Sequence, residues 1–145
     1  TVAGAMEASL LGVSAIALSQ QYGREDPVDY AASRLYGEQV IRHILNLGIP
    51  PRTIMNVNFP KTDPASIKGV KPAHLDRHKL GDVVINGGAP NHYRLGPLHS
   101  DPETIDGSDR AVLNDGWIAI TPLMMDVTAH HMLEQLPILD IAATK

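Results

Sequence analysis

Two short apolar runs stand either side of one long amphipathic segment, and that order constrains this chain more than any other feature. The first run, "VSAIALS" (Val13 to Ser19), has the length of a strand buried on both faces. The second, "TIMNVNF" (Thr53 to Phe59), mixes apolar Ile54, Val57 and Phe59 with Asn56 and Asn58, and Pro60 stops it. Between them Asp29 caps "DYAASRLYGEQVIRHILNLG", where Leu35, Val40, Ile41, Ile44 and Leu45 fall mostly on one stripe. Gly48 with Pro50 and Pro51 ends that helix, and Gln20 to Val28 is a loop. Strand, helix and strand in this order predict a crossover unit in an α/β fold with a largely parallel sheet.

A further helix precedes the unit. Thr1 stands as an N-cap before Ala3, Ala5, Met6, Glu7, Ala8, Leu10 and Leu11, and Gly12 is the stop. After Pro60 the chain turns rich in Pro, Gly, His and charge, with strand candidates at Ile67–Val70, Val83–Ile85 and His92–Leu95. Hairpins or extended arms suit it better than further crossovers. Ser108 caps a short helix through Leu113, Gly116 ends it, "WIAITPL" (Trp117 to Leu123) is a strand, and "VTAHHMLEQL" (Val127 to Leu136) a closing helix.

The 145 residues can bury a core of one ordinary domain. With 12 basic against 16 acidic residues, generic nucleic-acid binding is not indicated. The absence of cysteine excludes disulfides and cysteine-ligated metal, and no apolar run approaches the length that crosses a bilayer. A cytoplasmic location is the expectation.

The candidate chemistry begins at the first residue. A helix start presents unpaired N–H groups and a partial positive charge, a seat for phosphate, and Thr1 adds a hydroxyl. Gly4, Ala3, Ala5 and Ala8 let such a helix lie close to a sheet or ligand. The same residues also describe a tightly packed helix with an ordinary cap, the commoner case. His74 and His78 have the four-residue spacing of two ligands on one helix face, but Pro72, Asp76 and Gly81 around them favour a mobile, solvated loop. His130 and His131 are adjacent and diverge on a helix, one toward an interface and one exposed. "HSDPETIDGSD" (His99 to Asp109) holds Asp101, Glu103, Asp106 and Asp109, yet lacks the offsets of a calcium loop and reads better as a polar loop before a cap. Asn56 and Asn58 place two amides near a strand's carboxyl end, where open α/β sheets bind ligands, or else satisfy buried backbone groups.

Three of these stretches, taken in order, resemble one family. "TVAGAMEASLLGVSAIALS", "MNVNFP" and "DGSDRAVLNDGWIAITPLMMDVTAHHML" are similar in order and spacing to survival protein E (SurE) proteins. The likeness includes Gly116-Trp117-Ile118-Ala119-Ile120-Thr121-Pro122-Leu123 and Asp126-Val127-Thr128-Ala129-His130; residues 61 to 100 are least alike, with Arg94 where an aromatic is frequent. The resemblance implies a Rossmann-like sheet, incomplete here, with a protruding hairpin region and a C-terminal helical arm. Residues 1–60 would be the end of the core, 61–107 the extension, and 108–145 the last helix, strand and arm.

It also implies a metal-dependent phosphatase acting on nucleoside 5′- and 3′-monophosphates, some members also taking short polyphosphate. Thr1, with the backbone of Val2 and Ala3, would bind phosphate, and Ser19 would line the same crevice; no residue here is expected to be catalytic. The divalent metal, Mg or Mn, would sit on ligands upstream of Thr1, so none is expected on these residues, and by themselves they would be inactive. The hairpin and arm would build a dimer or tetramer, with no nucleic-acid polymer and no membrane as partner. A reading from another class is a non-catalytic assembly module, with Met124, Met125 and Met132 as adaptable contacts.

Overall fold

A computed structural model describes residues 1–23, 27–76, 81–99 and 104–138. The crossover unit is present. β1 (Ala15–Gln20) lies parallel to β2 (Thr53–Phe59), from Ala15 beside Ile54 to Gln20 beside Phe59, and α2 (Ala31–Leu47) connects them. The sheet continues as β1-β2-β6-β3, with β3 at Val70–Pro72 and β6 at Ile118–Met124.

The expected parallel character holds for β1–β2 and β3–β6, whereas β2–β6 is antiparallel. The chain reaches β6 through the excursion after Pro60 and α3 (Asp109–Asn114), and re-enters beside β2 running the other way. β4 (Gly81–Asn86) and β5 (Tyr93–His99) form a separate antiparallel hairpin within that excursion, as its composition predicts.

Each face of the main sheet has its own core. On one, Ala32, Val40 and Ile44 of α2 pack on Val57, Phe59 and Ile118. On the other, α1 (Val2–Leu10) sets Ala5 against Ala15, Ala17 and Ile54. Small residues at this second contact bring the helix axis close to the strands. Gly12, at φ 81°, lets the chain turn from α1 back into β1.

Several expectations change. The first apolar run is not buried on both faces: Ala15 and Ala17 are buried in the cluster with α1, whereas Leu18, on the opposite face, is 38% exposed. Leu35 and Leu45 leave the predicted stripe at 63% and 58% exposure; the inward line of α2 is Ala32, Gly37, Val40 and Ile44, the closer match to a 3.6-residue period. α2 starts at Ala31 with Tyr30 as cap residue, and Asp29 accepts the Ala31 N–H from one position earlier (2.9 Å). The strand expected at Ile67–Val70 begins only at Val70, since Asp63 caps a 3-10 turn at Pro64–Ser66.

α4 covers only His130–Leu133 rather than Val127–Leu136. Asp126 accepts the Thr128 N–H (2.9 Å) and meets His130, which makes a turn where the helix was to begin. Ser108 caps α3 as predicted, accepting the Ala111 N–H at 3.2 Å.

Candidate functional site

The turn at Gly12 makes α1 run antiparallel to β1, and this sets where its two ends fall. Its last residues, Ser9 and Leu10, share a depression with Pro51, Arg52 and Thr53 at the start of β2. Its first residue, Thr1, therefore stands at the carboxyl ends of β1 and β2. Thr1 is exposed, occupies the cap position, and makes no side-chain hydrogen bond to the helix. The first N–H groups of α1, those of Val2 and Ala3 among them, thus face outward at the carboxyl edge of a parallel strand pair.

Alternation along the strands decides what lies on the same face. Ile54 contacts α1, so Asn56 and Asn58 point to that side. The register then gives three rows: Ala15, Ile54 and Leu123; Ala17, Asn56 and Thr121; Ser19, Asn58 and Ala119. Ser19, the second sequence-derived hydroxyl, is thus the cross-strand neighbour of Asn58 at the end where α1 begins.

The polar members of these rows are not occupied with one another. Asn56 is 6% exposed and Thr121 3% exposed, and the Thr121 Oγ1 is buried with no partner among the described residues. Ser19, Asn56 and Asn58 make no side-chain hydrogen bond among those residues either. Among the described residues, then, neither asparagine side chain pairs with a backbone group. Ser19 and Asn58, nearer the strand ends, are half-buried.

At the same edge lies a cleft of about 420 Å³ between the strand ends, Leu75 and Asp76 of the segment after β3, and the start of α3. Asp76 organises one wall. Its carboxylate accepts the Ser108 hydroxyl (3.2 Å) and lies 3.6 Å from the Arg110 guanidinium, with its side chain only 8% exposed. Asp109 accepts the N–H groups of Asp76 (3.2 Å) and Arg110 (2.8 Å), which ties this segment to α3.

His74 is not on a free loop. Its backbone pairs with Gly107 and Asp109, and its ring nitrogens each lie 3.0 Å from a carbonyl, of Leu75 and of Asp106. His78, Asp101 and Glu103 fall outside the described residues. His130 and His131 are both exposed in the single chain. Among the described residues no group of three or more His, Asp or Glu comes together.

Sequence reasoning missed Gln20 and Thr121, whose side-chain oxygens are buried without a partner among the described residues. Thr121 carried a signal, as the polar residue inside the apolar run "IAITPL" of a buried strand. Gln20 carried none, because it reads as the first residue of a loop.

The family model described as Survival protein SurE matches residues 1–82. The 5′-nucleotidase SurE of Afipia carboxidovorans is 34% identical over 94% of this chain and 56% of its own length. The protein of the same name from Chloroflexus aggregans is 30% identical over 94% of this chain and 55% of its own. Among solved structures, the SurE protein from Aquifex aeolicus superposes with a TM-score of 0.77 at 28% identity, covering 94% of this chain and 55% of that one. The chain spans about half the length of the curated relatives it matches.

Proposed function

Because the chain belongs to the survival protein SurE family, we propose that the full-length protein is a phosphatase of nucleoside 5′- and 3′-monophosphates. What supports this reading is a helix start with no side-chain cap hydrogen bond, packed through Val2 on the sheet that carries the Ser19–Asn58 pair near the carboxyl ends of β1 and β2. The backbone N–H groups of Val2 and Ala3 donate to the phosphate, the partial positive charge of the α1 start favours it, and the Thr1 hydroxyl adds a donor. Ser19 and Asn58 contribute side-chain donors from the floor. These groups bind and orient, and they stabilise charge developing on the phosphoryl oxygens.

A divalent cation, Mg or Mn, belongs to this reading as the Lewis acid of the full-length protein. The described residues bring no three His, Asp or Glu together to hold it, and nothing above runs through it. The test is phosphate release from a nucleoside monophosphate by the full-length protein with manganese. Turnover supports the reading and its absence ends it; the 145 residues alone are expected to show none.

A second surface supports the oligomer of the same proposal. Met124 at the end of β6, and Val127, Leu136 and Ile138 after it, are 73%, 91%, 63% and 93% exposed. Apolar side chains this exposed in sequence suit a contact between copies, dimeric or tetrameric. We place the protein in the cytoplasm; among the described residues no helix is long and apolar enough to cross a membrane.

A further inference from the structure

The ring of His74 meets two groups that can only accept a hydrogen bond. Its Nδ1 lies 3.0 Å from the carbonyl oxygen of Leu75, and its Nε2 lies 3.0 Å from that of Asp106. A neutral imidazole carries one N–H, so it donates to one oxygen and sets a lone pair against the other. Only the imidazolium, with a proton on each nitrogen, makes both hydrogen bonds.

The two carbonyls belong to different stretches of the chain. Leu75 lies in the segment after β3, and Asp106 in the turn that leads to α3. The backbone joins the same stretches: the His74 N–H donates to Gly107 (3.2 Å), and the Asp109 N–H donates to the His74 carbonyl (2.8 Å). The ring lies against Gly107, where φ is 74° and a Cβ would stand 3.5 Å from Nε2. Leu75 and Asp76 from one stretch, and Asp109 and Arg110 from the other, line the cleft at the carboxyl edge. The His74 ring thus fastens two walls of that cleft to each other.

The ring is exposed and exchanges its protons with solvent. The charged groups around it, among the described residues, are Lys71 on β3, Asp76 on its own segment, Asp106 on the facing turn, and Asp109 and Arg110 at the start of α3. Arg110 lies 3.6 Å from the Asp76 carboxylate. The carboxylates favour a cation at His74, and Lys71 and Arg110 oppose it. The two carbonyls act in one direction only.

We propose that His74 is a pH-sensitive clamp: as the imidazolium it joins both cleft walls, and loss of its second proton releases one carbonyl and loosens them. A group that holds its proton more tightly when folded adds stability that is fully present in acid. That stability is lost as the pH rises through the folded titration point. The walls are therefore firm at low pH and looser at alkaline pH. This inference stands independently of the nucleotidase reading.

The test is an NMR titration of the full-length protein, as wild type and as His74→Gln. The His74 ring signal is identified by its loss in His74→Gln, or by sequential assignment of the wild type if that variant folds poorly. Its midpoint should lie about half a unit or more above the ordinary histidine value of about 6.5. Amide protection at His74 and Asp109, corrected for the intrinsic pH dependence of exchange, should fall severalfold across that midpoint. His74→Gln should show no such step. A lower midpoint, a wild type whose protection shows no step, or the same step in His74→Gln would overturn the clamp.

Discussion

The Nε2 atom of His130 lies 2.9 Å from Oδ2 of Asp126, four residues earlier, while Oδ1 of the same carboxylate takes the Thr128 N–H at 2.9 Å. One carboxylate thus closes the turn that carries the chain from β6 into α4. The Thr128 hydroxyl, then His130, then the Thr128 N–H hold the Asp126 carboxyl well below its ordinary value of 3.8. A lowered value means that the anionic turn contributes fully at neutral pH. It keeps contributing through the usual carboxylate range, and is lost only when the pH falls through the depressed value. Amide exchange at Thr128 should therefore stay slow at pH 4, and Asp126→Ala should speed it severalfold at neutral pH. Fast exchange in the unaltered protein at pH 4 would contradict this.

Thr1→Ala should lower kcat/KM of the full-length protein on a nucleoside monophosphate by about fivefold, the weight of one hydrogen bond of about 1 kcal/mol. Thr1 is exposed and makes no bond to the helix, so thermal stability should hardly move. Unchanged kinetics would remove Thr1 from the site.

Thr121→Val tests the unpaired face. Valine keeps the shape and discards a buried hydroxyl with no partner in the described chain. If nothing in the full-length protein pairs with it, the melting temperature should rise by about 2–4 °C, corresponding to about 1 kcal/mol. A fall would show that the rest of the protein, or a ligand, hydrogen-bonds Thr121.

Ser108→Ala should act in the opposite sense. Ser108 is fully buried, caps α3 through Ala111, and donates to the mostly buried Asp76. Losing the cap costs about 1 kcal/mol, and the carboxylate loses one of its donors as well. A melting temperature lower by at least 2–4 °C in differential scanning calorimetry is expected. Ser108→Thr should recover most of it, since threonine keeps the hydroxyl.

The sequence by itself determined the elements whose signals are local. Apolar runs placed β1 and β2, Gly12 and Gly48 stopped the helices at positive φ, and Ser108 marked its own cap, because periodicity, backbone freedom and capping act over a few residues. It also offered the start of α1 as a phosphate candidate, and the family resemblance added Ser19. What only the tertiary structure decided is which groups share a face and which remain unpaired. Residues Ser19, Asn58 and Ala119 meet through register between strands up to a hundred residues apart, and the antiparallel entry of β6 brings Thr121 beside Asn56. Leu35 and Leu45 were apolar on paper and exposed in the fold, since burial depends on what covers a helix and not on its composition. The acceptor of Gln20 was the least legible of all. It exists only because the carbonyls of Phe59 and Pro60, some forty residues away, hold the other end of the same amide.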